Sequence, residues 1–456
     1  MPSLSPPADL SDPSSSQHYL RAITNMAERR SVVANAAIYT DTGIKLVDKG
    51  GRISTRLYDQ LVQHKLRDPI ENHLGVENAV DTQQVMEGAQ ALLQSDALCL
   101  LLVQALGSAG PLLEPLRSLP LPAPVSFKLT LMREQREALF QHSMQMALVS
   151  LFLGIRAGLD MRARTCLAAA ALLHDVGMLH MDPAWQNSQK KIQGAERKHL
   201  VAHPVTAMLL VRDARVYSRS VELAVLEHHE RMDGTGYPRA LQGSDISPLG
   251  RILLLAEVVC AFYAKFAEFP AQQLSLMLRL NHRKFPADLV VHVVALLRPA
   301  HREGAGLQTQ GTDTSQCLEV LSQALQRWSS MDSKAAGAAQ AQTQTQAPVQ
   351  TALREEGAWA FVNQRVRSLE KVLAEAGMHP SQQSHALLDQ LQDDAPGMAE
   401  VAWVGQEALW QLRSIANACL RRWQGAPQAL PSAAPPQDRE REAAVLQWCQ
   451  WVLQQA

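Results

Sequence analysis

The stretch HHERMDGTGYP, residues 228–238, places adjacent histidines, acidic groups, glycines and a proline together in a chain that is otherwise apolar and nearly neutral. Seven of the 15 histidines lie between residues 142 and 229, where an even distribution would place about three. Imidazole is the commonest metal ligand among side chains and a frequent proton carrier near neutral pH. The clustering therefore indicates metal or acid–base chemistry in this part of the chain.

A second motif, His174-Asp175, lies near the end of the apolar segment TCLAAAALLHDVGMLH at residues 165–180. A helix that is apolar on nearly every side is expected to be buried. An ionised carboxylate beside an imidazole is costly to bury unless both groups are paired or bind a metal. Taken alone, the dipeptide also fits an ordinary pair that closes a core helix.

Further polar groups lie on neighbouring apolar segments. His142 is followed at helical spacing by Met146, which predicts that both side chains point inward. His203 precedes a proline at the start of another apolar helix, and Glu257 shares the sequence LGRILLLAEVVCAFYA with only one other charge, Arg251. Individually, His142 also fits a core histidine bonded to a carbonyl, and His203 a plain helix-start residue.

Together these segments offer five or six imidazoles and two carboxylates, with no thiolate required. Nitrogen and oxygen ligands of this kind suit iron, manganese or zinc. Two such ions about 3.5–4 Å apart would clamp a phosphate diester and supply a hydroxide for in-line attack. Asp175 is the natural bridge between them.

The elements that must position these groups are predicted to be helices, because residues 126–300 carry long apolar stripes of period 3.6 and no alternating strand pattern. The predicted fold class is therefore mainly α. Residues 1–30 are expected to form a disordered Pro- and Ser-rich tail and lead-in, and residues 31–125 a small α+β module with a hairpin around Asp41-Thr42-Gly43. Residues 301–352 are predicted to be a helix and a low-complexity linker, and residues 353–456 a C-terminal helical region whose tryptophans are core or a partner surface.

Composition excludes several classes. The net charge is −1 with 46% apolar and 19% charged residues, so no basic field would favour polymeric nucleic acid as a partner. Six cysteines form no C-x-x-C pair, which indicates reduced thiols and a cytoplasmic protein. The apolar run that starts at Ala97 is too short to span a bilayer, and the first 30 residues lack a signal pattern, so we expect no membrane span.

The order of these motifs resembles the HD-GYP subfamily of HD-superfamily phosphohydrolases over residues 127–299. The family motif HHExxDGxGYP is complete in residues 228–238. The resemblance implies an all-helical, metal-dependent phosphodiesterase of bacterial type that opens cyclic di-GMP to the linear dinucleotide or onward to GMP. It implies two divalent ions, iron or manganese. The metal ligands it implies are His142, His174, Asp175, His203, His228, His229 and Glu257.

The same resemblance suggests further roles. The implied catalytic residues are His174, Asp175, Glu230 and Asp233, and the implied substrate-binding residues are Gly236, Tyr237, Pro238 and Arg251. The glycines of the motif would permit positive φ and close backbone approach. Tyr237 and Pro238 would shape the loop against the nucleotide or the fold.

Several positions depart from the family pattern. Met178 stands where the family has a phosphate-facing lysine, and Cys260 replaces an aspartate. His180 lies nearby, but exposed loop histidines of this kind are more often inert than a replacement for the missing cation. Ala138 stands where three-metal members have a glutamate, which predicts two ions. Reduced turnover follows, and two alternatives stay open. One is an impaired domain that binds cyclic di-GMP or a protein partner, with self-association through the C-terminal helices, and the other is hydrolysis of a different phosphoester.

Overall fold

The structure is a computed structural model that describes residues 13–186, 194–266, 269–303, 314–340, 357–375, 378, 395–423 and 436–455. The chain divides into two compact units. The first comprises Met1–Ala271 and Asn281–Pro299, and the second comprises Gln272–Leu280 and Ala300–Ala456. The described elements are mostly helices, which confirms the mainly α prediction.

The first unit begins with a helix and four short strands. These are α1 (Pro13–Ala27), β1 (Val32–Ala34), β2 (Ile38–Tyr39), β3 (Lys45–Val47), a 3₁₀ helix (Thr55–Leu57), α2 (Tyr58–Gln63), a 3₁₀ helix (Ile70–Asn72) and β4 (Leu74–Val76). β2 and β3 form the antiparallel hairpin that the sequence predicts, with Gly43 at φ 87° in its turn. β1 pairs with the distant β4 instead of its neighbour in sequence.

The helix α1 corrects the prediction that residues 1–30 form a disordered tail and lead-in. Tyr19, Leu20, Ile23 and Met26 are all buried on one face of α1. Their spacing of three and four residues is the pattern of an amphipathic helix. The Pro- and Ser-rich composition of the preceding residues obscured this pattern, and residues 1–12 lie outside the described part.

Five helical segments lead to the predicted site. They are α3 (Thr82–Ser95), α4 (Ala97–Leu106), α5 (Gly110–Leu113), a 3₁₀ helix (Glu114–Ser118) and α6 (Ala123–Gln135). On α6, Lys128 forms a buried ion pair with Glu71 at 2.9 Å, and the Thr130 hydroxyl accepts the Val80 N–H at 2.8 Å. These contacts place residues 31–125 and the helical region after them in one compact unit, so residues 125/126 do not separate two units.

The site itself is built from the next elements. They are α7 (Glu137–Arg156), α8 (Met161–Leu173), 3₁₀ helices Val176–His180 and Pro183–Gln186, α9 (Gly194–Leu200), α10 (His203–Asp213), α11 (Arg219–Glu227), a 3₁₀ helix (Gly243–Asp245) and α12 (Pro248–Lys265). α8 and α12 start at side-chain caps, in which Asp160 accepts the Ala163 N–H and Ser247 the Gly250 N–H. α13 (Pro270–Leu280), a 3₁₀ helix (His282–Lys284) and α14 (Ala287–Glu303) follow.

One described helix, α7, is long and apolar enough to cross a membrane, and 72% of its apolar window is buried inside the protein. The pair α3 and α4 passes the same test only as one segment bent by 91°. Burial against other helices is the ordinary reason for such composition in a core helix. The absence of a membrane span stays a prediction.

The second unit is a helical assembly with a tryptophan core. Its described helices, besides residues 272–280, are α15 (Thr314–Gln340), α16 (Ala358–Glu375), α17 (Ala395–Trp423) and α18 (Pro436–Gln455). Trp328 stacks on Trp359 and meets Trp448 edge-on, each at 4.9 Å between ring centroids. The helix α15 extends into the predicted low-complexity linker, of which residues 341–352 lie outside the described part.

Candidate metal centre

The predicted ligands lie mainly at helix ends. His174 follows the last residue of α8, His203 is the first residue of α10, and His228 follows the last residue of α11. His142 and Glu257 lie within α7 and α12. The structure brings all seven predicted ligands together in two groups, although their sequence positions span more than 100 residues.

The first group consists of Asp175, His203, His228 and His229, with one ligand atom of each within 4.8 Å of the others. Asp175 Oδ1 lies 3.1 Å from His203 Nε2 and 3.6 Å from His228 Nε2. The two imidazole Nε2 atoms of His203 and His228 are 3.3 Å apart. Several lone pairs therefore converge on one point.

The second group consists of His142, His174 and Glu257. Glu257 Oε2 lies 3.0 Å from His142 Nε2 and 3.5 Å from His174 Nε2. The other carboxylate oxygen of Asp175, Oδ2, lies 3.5 Å from His174 Nε2. Asp175 therefore faces both groups, one oxygen to each, which is the geometry of a bridging ligand.

Three of the imidazoles are fixed in the orientation that ligation needs. Each directs its Nδ1 at the carbonyl three residues earlier, so the ring is held as the tautomer with Nε2 free. In that arrangement Nδ1–H donates and the Nε2 lone pair points into the site. The three bonds join His174 to Ala171 at 2.7 Å, His203 to Leu200 at 2.6 Å and His228 to Val225 at 2.6 Å.

Two polar atoms in the centre of the site lack hydrogen-bond partners among the described residues. His174 Nε2 and Asp175 Oδ1 are buried, and neither has one among the described residues. Within the same part of the chain, no lysine or arginine forms an ion pair with Asp175 or Glu257. Buried polar atoms without partners are rare and costly. This set of nitrogen and oxygen donors fits divalent cations.

The electrostatics of the site agree with this reading. Burial alone would raise the pKa values of Asp175 and Glu257, but the surrounding imidazoles hold both well below their usual range. Burial opposes a charge on His174, yet Asp175 and Glu257 raise its pKa to about 9, so without a bound cation its Nε2 holds a proton at the place where a metal would bind instead. Burial lowers the pKa values of His228 and His229, and neighbouring imidazoles add to that effect. The two carboxylates therefore remain ionised and favour a bound positive charge.

The loop after the adjacent histidines folds back on them. The Tyr237 ring stacks on His229 at 4.7 Å with 25° between planes, and the Tyr237–Pro238 peptide is cis. A Cβ on Gly236 would overlap the backbone of Glu230 and Arg231, so only glycine fits at that position. Among the predicted substrate-binding residues, Tyr237 thus lies against the ligand cluster.

Glu230 and Asp233 form hydrogen bonds within the loop, and their predicted catalytic role stays a prediction. Glu230 is fully buried, and its two carboxylate oxygens accept the Arg239 N–H at 2.7 Å and the Leu241 N–H at 2.9 Å. Asp233 accepts both the N–H and the hydroxyl of Thr235, which is a local turn. Both oxygens of Glu230 and one oxygen of Asp233 thus hold the loop in shape.

The remaining predictions near the site have different outcomes. His180, expected as an exposed loop residue, stacks on Tyr19 of α1 at 4.3 Å, and burial lowers its pKa to about 4. It therefore cannot supply the positive charge that Met178 lacks, and Met178 itself is buried. The Nε of Arg251 is buried without a hydrogen-bond partner among the described residues, and its role in substrate binding stays a prediction.

Sequence reasoning missed Glu227 and Arg239. Glu227 directly precedes the two histidines and is 1% exposed, and its carboxylate pairs with Arg239, which directly follows the motif. A charged residue at the end of a helix that otherwise offers Val221, Ala224 and Val225 to the core was the available signal.

Comparison with known proteins agrees with this geometry. Residues 129–275 match the family described as the HD domain. The chain is 32% identical over 120 residues to 3′3′-cGAMP-specific phosphodiesterase 1 of Vibrio cholerae, which covers 26% of this chain and 27% of that protein. It is 36% identical over 89 residues to a cyclic di-GMP phosphodiesterase of Pseudomonas aeruginosa, covering 20% of this chain and 22% of that protein.

A third relative is a cyclic di-GMP phosphodiesterase of Borreliella burgdorferi, 29% identical over 120 residues that cover 26% of this chain and 31% of that protein. The chain thus matches less than a third of the length of each of these relatives. Among solved structures, Bd1817 of Bdellovibrio bacteriovorus, described as an HDG"Y"P protein, aligns with 49% of this chain and 74% of its own at 18% identity and a TM-score of 0.33.

The family match covers the segment from α6 to α13, and this segment carries every residue of the two ligand groups. It also carries the complete HHExxDGxGYP motif at residues 228–238. Residues 129–275 of this chain therefore form an HD domain, and they carry the motif by which the sequence resembles the HD-GYP subfamily.

Proposed function

We propose that this HD domain is a metal-dependent phosphodiesterase that hydrolyses a 3′-5′ phosphodiester bond of a cyclic dinucleotide, with cyclic di-GMP as the substrate. The observation that carries the proposal is the pair of ligand groups that meet at Asp175. The related proteins named above act on 3′3′-cGAMP or cyclic di-GMP, which supports the substrate class.

His142, His174 and Glu257 would hold one ion, and His203, His228 and His229 the other, with Asp175 shared between them. Iron or manganese is the proposed metal. Two bound divalent ions would neutralise a phosphate diester and lower the pKa of an attacking water. The three Nδ1 hydrogen bonds keep the imidazoles aligned, so little reorganisation is needed when substrate binds.

The residues around the ligands have the remaining roles. Tyr237, whose ring stacks on His229, would orient the nucleotide. Burial raises the pKa of Tyr237 above its ordinary value, so its hydroxyl stays protonated and can donate a hydrogen bond to a phosphate oxygen. Arg251 would contribute a cation to the same substrate.

The experiment is a product assay with the purified full chain, loaded with iron or manganese and given cyclic di-GMP and 3′3′-cGAMP in parallel. We expect a linear dinucleotide or mononucleotide from cyclic di-GMP, and no product from the Asp175→Ala variant, because that change removes the shared ligand. If only 3′3′-cGAMP gives product, the proposal of cyclic di-GMP as the substrate is wrong. If the metal-loaded wild type gives no more product than Asp175→Ala, the phosphodiesterase proposal is wrong.

A second candidate function is a domain that binds the cyclic dinucleotide or a protein partner without turnover. It is favoured by Met178, which is apolar and buried where the family pattern has a lysine. Calorimetry distinguishes the two functions: binding of cyclic di-GMP by a metal-loaded chain that forms no product supports this candidate.

The six cysteines are free, which supports a cytoplasmic location for either function.

A further inference from the structure

We infer that the Glu227–Arg239 ion pair is a positioning device that holds the two metal-ligand groups in register. This inference rests on the proposed function, because it concerns the ligands of the same site. Glu227 and Arg239 flank the motif of residues 228–238, and within the described part of the chain neither side chain forms a hydrogen bond or ion pair with a predicted metal ligand. Their effect must therefore pass through the elements that they join.

Glu227 joins three parts of the domain. It is the last residue of α11, directly before His228 and His229. Its Oε1 accepts a hydrogen bond from the Arg239 guanidinium, in the loop that follows Tyr237 and Pro238. Its Oε2 accepts the Ser247 N–H at 2.8 Å, and Ser247 caps α12.

The contact between Glu227 and Ser247 connects the two ligand groups. α11 ends at His228 and His229 of the first group, whereas α12 carries Glu257 of the second. Because Ser247 fixes the start of α12, the Glu227 carboxylate sets where α12 begins relative to the end of α11. The position of Glu257 beside His142 and His174 depends on that placement.

The surroundings of Glu227 are built for this contact. Glu227 is 1% exposed, and a Cβ on Gly250 would lie 2.5 Å from its Oε2, so a larger residue at position 250 would displace the carboxylate. A buried carboxylate needs a paired cation, and Arg239 provides it with a side chain that is 35% exposed. The Glu230 carboxylate accepts the backbone N–H of Arg239 at 2.7 Å. The arginine is therefore held at its backbone as well as at its side chain.

The test is metal binding by the full chain, measured by calorimetry with Mn²⁺ after removal of metal with a chelator. Glu227→Gln keeps the shape of the side chain but loses the charge that pairs with Arg239, so the side chain is no longer held in the position where it accepts the Ser247 N–H. Substitution of groups that orient metal ligands typically costs 10- to 100-fold in metal affinity. We expect Glu227→Gln to weaken Mn²⁺ binding about 10-fold or more.

The matched control is Glu222→Gln, which removes a carboxylate from the same helix. Glu222 pairs with Arg212 at 3.0 Å and Arg219 at 2.6 Å, away from the loop, so its loss is expected to leave Mn²⁺ affinity within twofold of the wild type. Because the readout is metal binding and not turnover, a wild type that binds Mn²⁺ but hydrolyses nothing would overturn the proposed activity and leave the inference intact.

Arg239→Met keeps the inference testable if Glu227→Gln does not fold. It leaves a buried carboxylate without its cation, so we expect weaker Mn²⁺ binding than in the wild type. The double variant Glu227→Gln/Arg239→Met is expected to bind Mn²⁺ better than Arg239→Met alone, because the uncompensated charge is removed. Mn²⁺ affinity in both single variants within twofold of the wild type would overturn the inference.

Discussion

At the scale of single residues, the polar atoms of the metal-ligand site divide into those with a hydrogen-bond partner and those without one. His174 Nε2 and Asp175 Oδ1 are buried without hydrogen bonds among the described residues, whereas every Nδ1 of the three helix-end histidines is satisfied. This difference separates the atoms that orient the rings from the atoms that would bind metal. Composition gives only the types of residue, so it could not distinguish these two sets of atoms.

Met178 is the residue most directly expected to limit turnover. A lysine there would restore a cation near the substrate phosphate, so Met178→Lys should raise kcat on cyclic di-GMP by roughly 100-fold, the effect typical of one charge-stabilising donor. The measurement is the rate with saturating metal and substrate. Met178→Leu, which keeps a buried apolar side chain, serves as the control and should match the wild type. An unchanged rate in Met178→Lys would show that another defect limits the reaction.

The sequence predicted the site better at some residues than at others. The histidines and carboxylates were visible because they interrupt apolar segments, and all seven converge. The structural part played by Glu230 was not visible in the motif, since an acid that accepts backbone N–H groups and one that transfers protons have the same spacing along the chain. Glu227 and Arg239 were missed because their pairing exists only once the loop has folded back.

At the scale of elements, α6 ties the N-terminal strands to the domain through one buried ion pair. Burial would raise the pKa of Glu71, but Lys128 at 2.9 Å holds it below its ordinary value of 4.5. A carboxyl whose pKa is lowered by folding stabilises the native state above its unfolded pKa and loses that contribution as the pH falls. The pair therefore stabilises the protein at neutral pH and fails in acid.

This pair gives a stability prediction. Glu71→Gln should lower the free energy of unfolding at pH 7 by about 3–5 kcal/mol, because it leaves Lys128 buried without its counter-charge. As the pH falls below 4.5, the wild type should lose stability that the variant does not lose, so the difference between them narrows. Urea unfolding at pH 7 and pH 4 measures both effects. A difference that stays constant with pH would contradict the assignment to this ion pair.

Element prediction failed at α1 for a physical reason. The Ser- and Pro-rich segment SPPADLSDPSSS that precedes Tyr19 is typical of a tail. The helix exists because Ile23 and Met26 bury completely and because Tyr19 packs on His180. These are tertiary contacts, and local composition contains no information about them.

At the scale of the whole molecule, the chain crosses between the two units more than once. Gln272–Leu280 belongs to the second unit, although residues on both sides of it belong to the first. Leu276 and Leu280 lie in the hydrophobic cluster that contains Trp328 and Trp359. The expected order of one domain after another, with a single linker at residues 301–352, therefore does not describe how the chain is divided.

Truncation tests this division. A chain ending at Glu303 should expose Leu276 and Leu280, which are 5% and 6% exposed in the intact protein. We expect this shortened chain to bind a hydrophobic dye strongly and to unfold at a lower temperature than the full chain. The same truncation with Leu276→Gln and Leu280→Gln should bind less dye. Equal dye binding by the truncated chains would mean that other surfaces account for the effect.

For His174 and His228, the hydrogen bond from Nδ1 to the carbonyl three residues earlier links the length of the preceding helix to the direction of the imidazole. One residue corresponds to a rotation of about 100° around the helix axis. Adding or deleting a single residue in the last turn of α8 or α11 would turn the His174 or His228 side chain away from the other ligands, even if every ligand type were retained. Evolution can therefore exchange the ligands of such a centre one for another more readily than it can change the number of residues that precede them.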